Sequence, residues 1–271
     1  MIEINNLSYA YQKNQWVLET INLTIKKGSM ITILGQNGSG KTTLVKHLNG
    51  LLKPVQGDVI IDGINTKETT IATMSKKVAY VFQNPNHQIF SNSVYNEIAF
   101  SLKKQKMPHL EIESKVHRVM EDLGISEIKD IHPMFINQAQ KQMVAVASYL
   151  VMNPEIFIFD EPTSSLDAFD VATMNRVFDV LKEQGKTIIV ITHDMNFVIH
   201  YPDRVIVMHK AKQIFDGHAS KLFASPKIFI KTGLEVPQIK TLCHRLQPLI
   251  PEDVYHLDQV LEILIQKGGL S

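Results

Sequence analysis

The stretch Gly35-Gln36-Asn37-Gly38-Ser39-Gly40-Lys41-Thr42 constrains this chain more than any other. It follows a short apolar run, residues 31–34. It opens residues 40–52, where Leu44, Val45, Leu48 and Leu51 recur at helical spacing until Pro54 is expected to stop them. A strand, a glycine-rich turn and a helix in that order fit G-x-x-x-x-G-K-[ST], the context in which such a loop cradles phosphate. The glycines let the backbone fold tightly enough for several N–H groups to point at one phosphate. The helix behind them adds unpaired N–H groups and the positive end of its dipole. Lys41 brings a full charge for the β- and γ-phosphates, and Thr42 a hydroxyl for Mg²⁺.

The remaining pattern supplies a frame for that loop. Residues 2–34 read as strands, with further strands over 58–62 and 77–82. Residues 93–152 turn helical and polar, broken by Pro108 and Pro133. A buried strand over 156–159, a helix over 171–181, a buried strand over 187–191 and a closing pair over 205–208 and 213–215 follow. Strands alternating with helices predict an α/β domain built on a mostly parallel sheet. Beyond about residue 225 no strand is expected. A small helical tail carries Ile239, Leu242 and Leu246 on one face and Val260, Leu261 and Leu264 on another.

Composition narrows the class. The chain has 271 residues, 44% of them apolar, enough for a sizeable core. Lys and Arg number 28 against 27 Asp and Glu, a net +1, which argues against nucleic acid or an anionic membrane as an electrostatic partner. Cys243 is the single cysteine, so no intrachain disulfide can form. The first residues lack the charged and apolar regions of a signal peptide, and no apolar run approaches the length of a membrane span.

Two further places carry chemistry. Asp160 ends the apolar run 156–159, where an open α/β sheet binds ligands, and can hold Mg²⁺ directly or through water. Glu161 follows it, and a strand end re-aims successive side chains, so one carboxylate can serve the metal while the other polarises water. His193 lies just past the strand 187–191, placed to hydrogen-bond a γ-phosphate and orient the attacking water. The other histidines read as surface or packing residues.

These residues, in this order, resemble the ATP-binding-cassette (ABC) ATPases over roughly residues 1–225. The resemblance implies a P-loop NTPase core with a mostly parallel sheet, an N-terminal antiparallel β subdomain, a helical insert subdomain at about 93–153, and a C-terminal helical extension, 226–271, used for dimerisation. It implies ATP and Mg²⁺ as ligands. The ATP-binding set becomes Tyr11 (stacking on adenine), Gly35, Gln36, Asn37, Gly38, Ser39, Gly40, Lys41, Thr42 and Thr43. Thr42, Gln83 and Asp160 become the metal set, with Glu161 and His193 catalytic. Ser164-Ser165-Leu166-Asp167 is similar to the D-loop. A narrower likeness lies in Gln83-Asn84-Pro85-Asn86-His87-Gln88 with Phe90 and Glu97, and in Gly233-Leu234-Glu235-Val236-Pro237. Both resemble ATPases of energy-coupling-factor (ECF) transporters. Such chains work as a pair of related subunits on the cytoplasmic face of the cell membrane. The pair docks on a membrane coupling protein that holds a vitamin- or metal-binding membrane subunit. The ATPase of another ABC importer and a mainly regulatory nucleotide-binding subunit are the alternative readings.

One motif departs from that pattern. Where the family has Leu-Ser-Gly-Gly-Gln, this chain has Ile136-Asn137-Gln138-Ala139-Gln140. In an ABC dimer that motif caps the γ-phosphate held by the opposite subunit. Gln138 is expected to bring side-chain bulk and left-handed strain to a place where backbone must approach closely. The expectation is therefore a heterodimer: a competent site on this chain's own Lys41, Asp160, Glu161 and His193, and a weak one on its partner.

Overall fold

The computed structural model describes every residue except 14, 165, 202, 252, 253, 255, 256 and 267–271. Along the chain run β1 (Ile2–Gln12), β2 (Gln15–Ile25), β3 (Met30–Leu34), α1 (Lys41–Leu48), β4 (Gln56–Ile61), β5 (Ile64–Asn65), α2 (Ile71–Met74) and β6 (Val78–Val81). Then come α3 (Val94–Lys104), α4 (His109–Asp122), α5 (Gln138–Leu150), β7 (Ile156–Asp160), α6 (Ala168–Glu183), β8 (Thr187–Ile191) and α7 (Met195–His200). The chain closes with β9 (Arg204–His209), β10 (Lys212–Gly217), α8 (Ala219–Phe223), α9 (Pro226–Thr232), α10 (Gln238–Arg245) and α11 (Leu257–Gln266).

Two sheets form. An antiparallel sheet runs β2-β1-β4-β5, and a six-stranded sheet runs β10-β9-β3-β8-β7-β6, parallel except at β10. Every residue of β3, β7 and β8 is buried, as expected of parallel strands covered on both faces. The strand period of two divides the core. Ile156 and Ile158 point into a cluster shared with α1 and the antiparallel sheet, while Phe157 and Phe159 point into one shared with α3 to α6. There Phe159 meets Phe178 of α6 edge-on at 4.9 Å. The strand ends of β3, β7 and β8 thus emerge together between two packed layers. This is the anticipated α/β architecture with its antiparallel companion sheet. No described helix is long and apolar enough to cross a membrane.

Three details correct the sequence reading. Helix α1 stops at Leu48, well before Pro54: Asn49 caps it and the chain turns through Gly50, whose φ of +76° is the left-handed conformation that ends helices. Leu51 is consequently not on the helix and is 38% exposed. In the tail, Cys243, Ile250, Val254 and Val260 form a small cluster with Ile239, Leu246, Ile263 and Leu264, whereas Leu242 and Leu261 are exposed. The buried seam therefore runs one residue away from part of each expected face. Helix α6 also begins earlier than expected, at Ala168, because Asp167 caps it, accepting from the N–H groups of Phe169 and Asp170 at 2.9 Å each.

Candidate functional site

β3 delivers the chain to Gly35 and α1 takes it away from Gly40. A side chain at Gly35 has no room, since a Cβ there would lie 2.3 Å from the Met208 carbonyl oxygen of β9, and its φ is +151°. Gly40 caps α1 without any side-chain hydrogen bond, so the first-turn N–H groups stay available. Lys41 is buried, and its Nζ donates to the carbonyl oxygens of Gly35 at 2.6 Å and Gln36 at 3.1 Å. Burial lowers its pKa from the ordinary lysine value, and the carboxylates of Glu161 and Asp160 oppose that shift. The buried Ser39 hydroxyl has no hydrogen-bond partner among the described residues. Tyr11 presents a 57% exposed ring beside this loop, its hydroxyl 3.2 Å from Thr43 Oγ1 and its ring edge-on to Tyr9.

The facing wall comes from β7 and β8. Asp160 is the last residue of β7 and 4% exposed. Burial raises its pKa, opposed by hydrogen bonds from the Tyr80 and Thr42 hydroxyls, with the neighbouring Glu161 adding to the rise and Lys41 resisting it. Glu161 leaves the strand with φ +50°, a left-handed backbone costing on the order of 1–2 kcal/mol for a side-chain-bearing residue. The surroundings hold it there. Its N–H donates to Ile191 O at 2.9 Å, and its own carbonyl accepts from the Ser164 hydroxyl at 3.1 Å. That turn aims the carboxylate at His193, whose Nδ1 lies 2.9 Å from Glu161 Oε1. Gly35, Lys41, Thr42, Gln83, Asp160, Glu161 and His193 line one cavity of about 770 Å³. The expected phosphate, metal and catalytic residues thus converge from segments as far apart as residues 35 and 193.

Among the described residues no group of three His, Cys, Asp or Glu could cage a metal. The donors present are a threonine hydroxyl, a glutamine side chain and one strand-end carboxylate. Such hard oxygen donors suit Mg²⁺, which takes few protein ligands and fills the rest with water and nucleotide phosphate.

The stretch 136–140 differs from expectation. Asn137 caps α5 with φ −73° and ψ 171°, and Gln138 is its first helical residue, so no left-handed strain arises. Asn137 Oδ1 accepts from the Gln140 N–H at 2.8 Å, while Gln140 Oε1 accepts from the Asn137 N–H at 3.1 Å. This reciprocal capping box satisfies the helix start within the chain itself. Ala139 follows Gln138 in the same first turn. In the segment 164–167, expected to be the D-loop, Asp167 serves as the α6 cap, and Ser165 lies outside the described residues.

One contributor escaped the sequence reading, and two stretches noted only for their family likeness acquire a place. Tyr80 of β6 donates its hydroxyl to Asp160 Oδ2 at 2.8 Å, entirely buried. An aromatic with a polar tip, alternating onto the face that carries Asp160, was the available signal. Gly233, Leu234 and Glu235 line the same cavity, so the start of the tail borders the phosphate loop. Glu97 is buried and accepts from the N–H groups of Phe90 at 3.0 Å and Ser91 at 2.7 Å, pinning the loop beyond Gln83.

Known proteins share this fold. Residues 18–164 match the ABC transporter family. An energy-coupling factor transporter ATP-binding protein, EcfA1 of Caldanaerobacter subterraneus subsp. tengcongensis, is 36% identical over 97% of this chain and 98% of its own. The solved structure of cbiO1 from Clostridium perfringens, part of the ABC transporter complex cbiONQ, superposes with TM-score 0.76 at 34% identity, covering 90% of this chain and 98% of that one. A dimeric ATP-binding cassette in a post-hydrolysis state with ADP and Pi gives TM-score 0.74 at 27% identity over 81% and 99%. Some other relatives are longer, and the chain spans about two fifths of three of them. A phosphate loop facing a strand-end Asp-Glu pair and a histidine, on this sheet and with these relatives, places the chain in the ABC transporter family, as an ATP-binding ATPase.

Proposed function

We propose that the chain is one of two unlike ATPase subunits of an ECF-type importer, peripheral to the cytoplasmic face of the cell membrane. In this reading residues 1–225 are the ATP-binding domain, 93–153 its helical subdomain, and 226–271 the extension that joins the second ATPase. The exposed Leu242, Leu257, Leu261 and Ile265 on α10 and α11 support that last assignment. An exposed Phe90, edge-on to Phe100 at 4.7 Å beyond Gln83, supports a helix of a membrane coupling protein docking there. The coupling protein would carry a membrane subunit for a vitamin or a transition-metal ion.

Adenine lies on Tyr11, and the phosphates rest on residues 36–43. Thr42, Gln83 and Asp160 would hold Mg²⁺, which supplies charge neutralisation on the phosphates. Glu161 takes a proton from the attacking water, and His193 donates a hydrogen bond toward the charge that develops. The observation that carries this is the pairing of Glu161, held at φ +50°, with His193 at 2.9 Å in the cavity that contains Lys41. The partner's signature completes this site. This chain's own Asn137–Gln140 stretch caps the partner's nucleotide poorly, because Gln138 and Ala139 bring side chains to the first turn of α5, where backbone has to come close, and Asn137 replaces the serine hydroxyl. Replacing Glu161→Gln tests the reading. Turnover in the membrane complex should fall by about a hundredfold or more while ATP binding persists. Unchanged turnover would remove Glu161 from the role of base.

A further inference from the structure

Tyr80 keeps a hydroxyl in a buried place, where a polar group has to find a partner. β6 and β7 are parallel neighbours, with Tyr80 opposite Ile158 and Val81 opposite Phe159. Tyr80 therefore shares a sheet face with Ile156, Ile158 and Asp160. Asp160 stands two residues beyond its direct partner, a diagonal that an aromatic side chain can span. The ring is 3% exposed, set in the apolar cluster with Leu44, Val45 and Leu48 of α1, and tilted against Phe82 at 4.5 Å. A ring so enclosed has one usable orientation, and in it the hydroxyl donates to Asp160 Oδ2 at 2.8 Å. This bond occupies one carboxylate oxygen and fixes the rotation of the group about its last torsion, which is otherwise soft.

We propose that Tyr80 is a positioning residue for the metal: its hydroxyl holds Asp160 Oδ2 so that the carboxylate meets the divalent cation of the bound nucleotide in a single orientation. The effect would be that of a hydrogen-bonding partner behind a metal-holding group, whose loss costs about tenfold or more in metal affinity. The inference rests on the proposed role of Asp160 toward Mg²⁺, and its test separates the two.

The experiment titrates Mg²⁺ against binding of a fluorescent ADP analogue to the purified chain, without turnover, for the unaltered protein, Tyr80→Phe, Asp160→Asn and the double variant. In EDTA, Tyr80→Phe should bind the analogue as the unaltered chain does, which reports an intact fold. With Mg²⁺, its half-saturating concentration should rise by about tenfold. Placing 4-aminophenylalanine at position 80, which restores a donor, should bring it back. In the Asp160→Asn background Tyr80→Phe should add nothing. A normal Mg²⁺ requirement in Tyr80→Phe, alongside a raised one in Asp160→Asn, would overturn the role of Tyr80 alone. A normal requirement in Asp160→Asn would overturn the metal assignment beneath it. Should Tyr80→Phe fail to bind in EDTA, 4-methylphenylalanine against 4-aminophenylalanine at position 80 decides with the volume restored. Equal Mg²⁺ requirements in that pair would refute the proposal.

Discussion

Lys41 and His47 share one helix and are both buried, and burial acts on each with a different consequence. Lys41 keeps two backbone acceptors and two nearby carboxylates, so its charge is held for phosphate. Lys41→Ala should weaken ATP binding by about tenfold to a hundredfold, the worth of a charged hydrogen bond, as equilibrium binding would measure. His47 is fully buried, with Nδ1 2.7 Å from Thr43 O, and burial holds its pKa below the usual 6.5 despite that contact. Its folded form resists protonation while the unfolded chain accepts it. Stability from this residue is therefore present above about pH 6.5 and lost as the pH falls below it. The melting temperature should drop between about pH 7 and pH 5, and His47→Gln should flatten that drop; an unaltered slope in the variant would contradict the assignment. Lys41, Asp160, Glu161 and His193 were legible in the sequence because each sits at a strand end or loop of fixed spacing. Tyr80 was not, and the sequence leaves His47 undivided among surface or packing histidines. Their roles arise from neighbours 80 residues away or from a helix face, and a single sequence does not print those contacts.

Helix starts decide how this chain spends its polar side chains. Asp167 donates no proton and accepts two backbone bonds at α6, so Asp167→Ala should lower stability by about 1 kcal/mol, read from denaturant unfolding. α5 begins with the Asn137–Gln140 box, which pairs the N–H groups of those two residues with each other's side chains. Restoring Ser-Gly-Gly at positions 137–139 would keep the Ser-x-x-Gln spacing of such a box but remove the Gln138 and Ala139 side chains from the first turn. It should raise ATP turnover in the paired enzyme; no gain would refute the impairment. The sequence pattern foresaw that this motif was altered, and added a backbone strain that the structure lacks. Strain at Gln138 was expected, and the helix start simply accommodates it, because α5 begins there with ordinary helical backbone. Likewise α1 was drawn too long, since the apolar spacing through Leu51 outlasts the helix that Gly50 ends. Strands buried on both faces were the easiest to read: 187–191 coincides with β8, and β7 extends 156–159 by Asp160 alone.

Taken whole, the molecule is a phosphate loop set between two covered faces of a parallel sheet, with a tail whose first residues border the same cavity and whose helices keep apolar side chains exposed. Under the proposed function, such an arrangement makes half of a catalytic unit, one that owns a base and a phosphate cradle and requires another chain to close over them. The most direct test compares steady-state ATP hydrolysis by the purified chain alone with hydrolysis by its complete membrane complex, each with Glu161 intact and with Glu161→Gln. The chain alone should turn over slowly. The complex should be fast, and Glu161→Gln in this one subunit should remove most of that rate, by about a hundredfold. An isolated chain that matches the complex, or a complex indifferent to Glu161→Gln, would contradict the account.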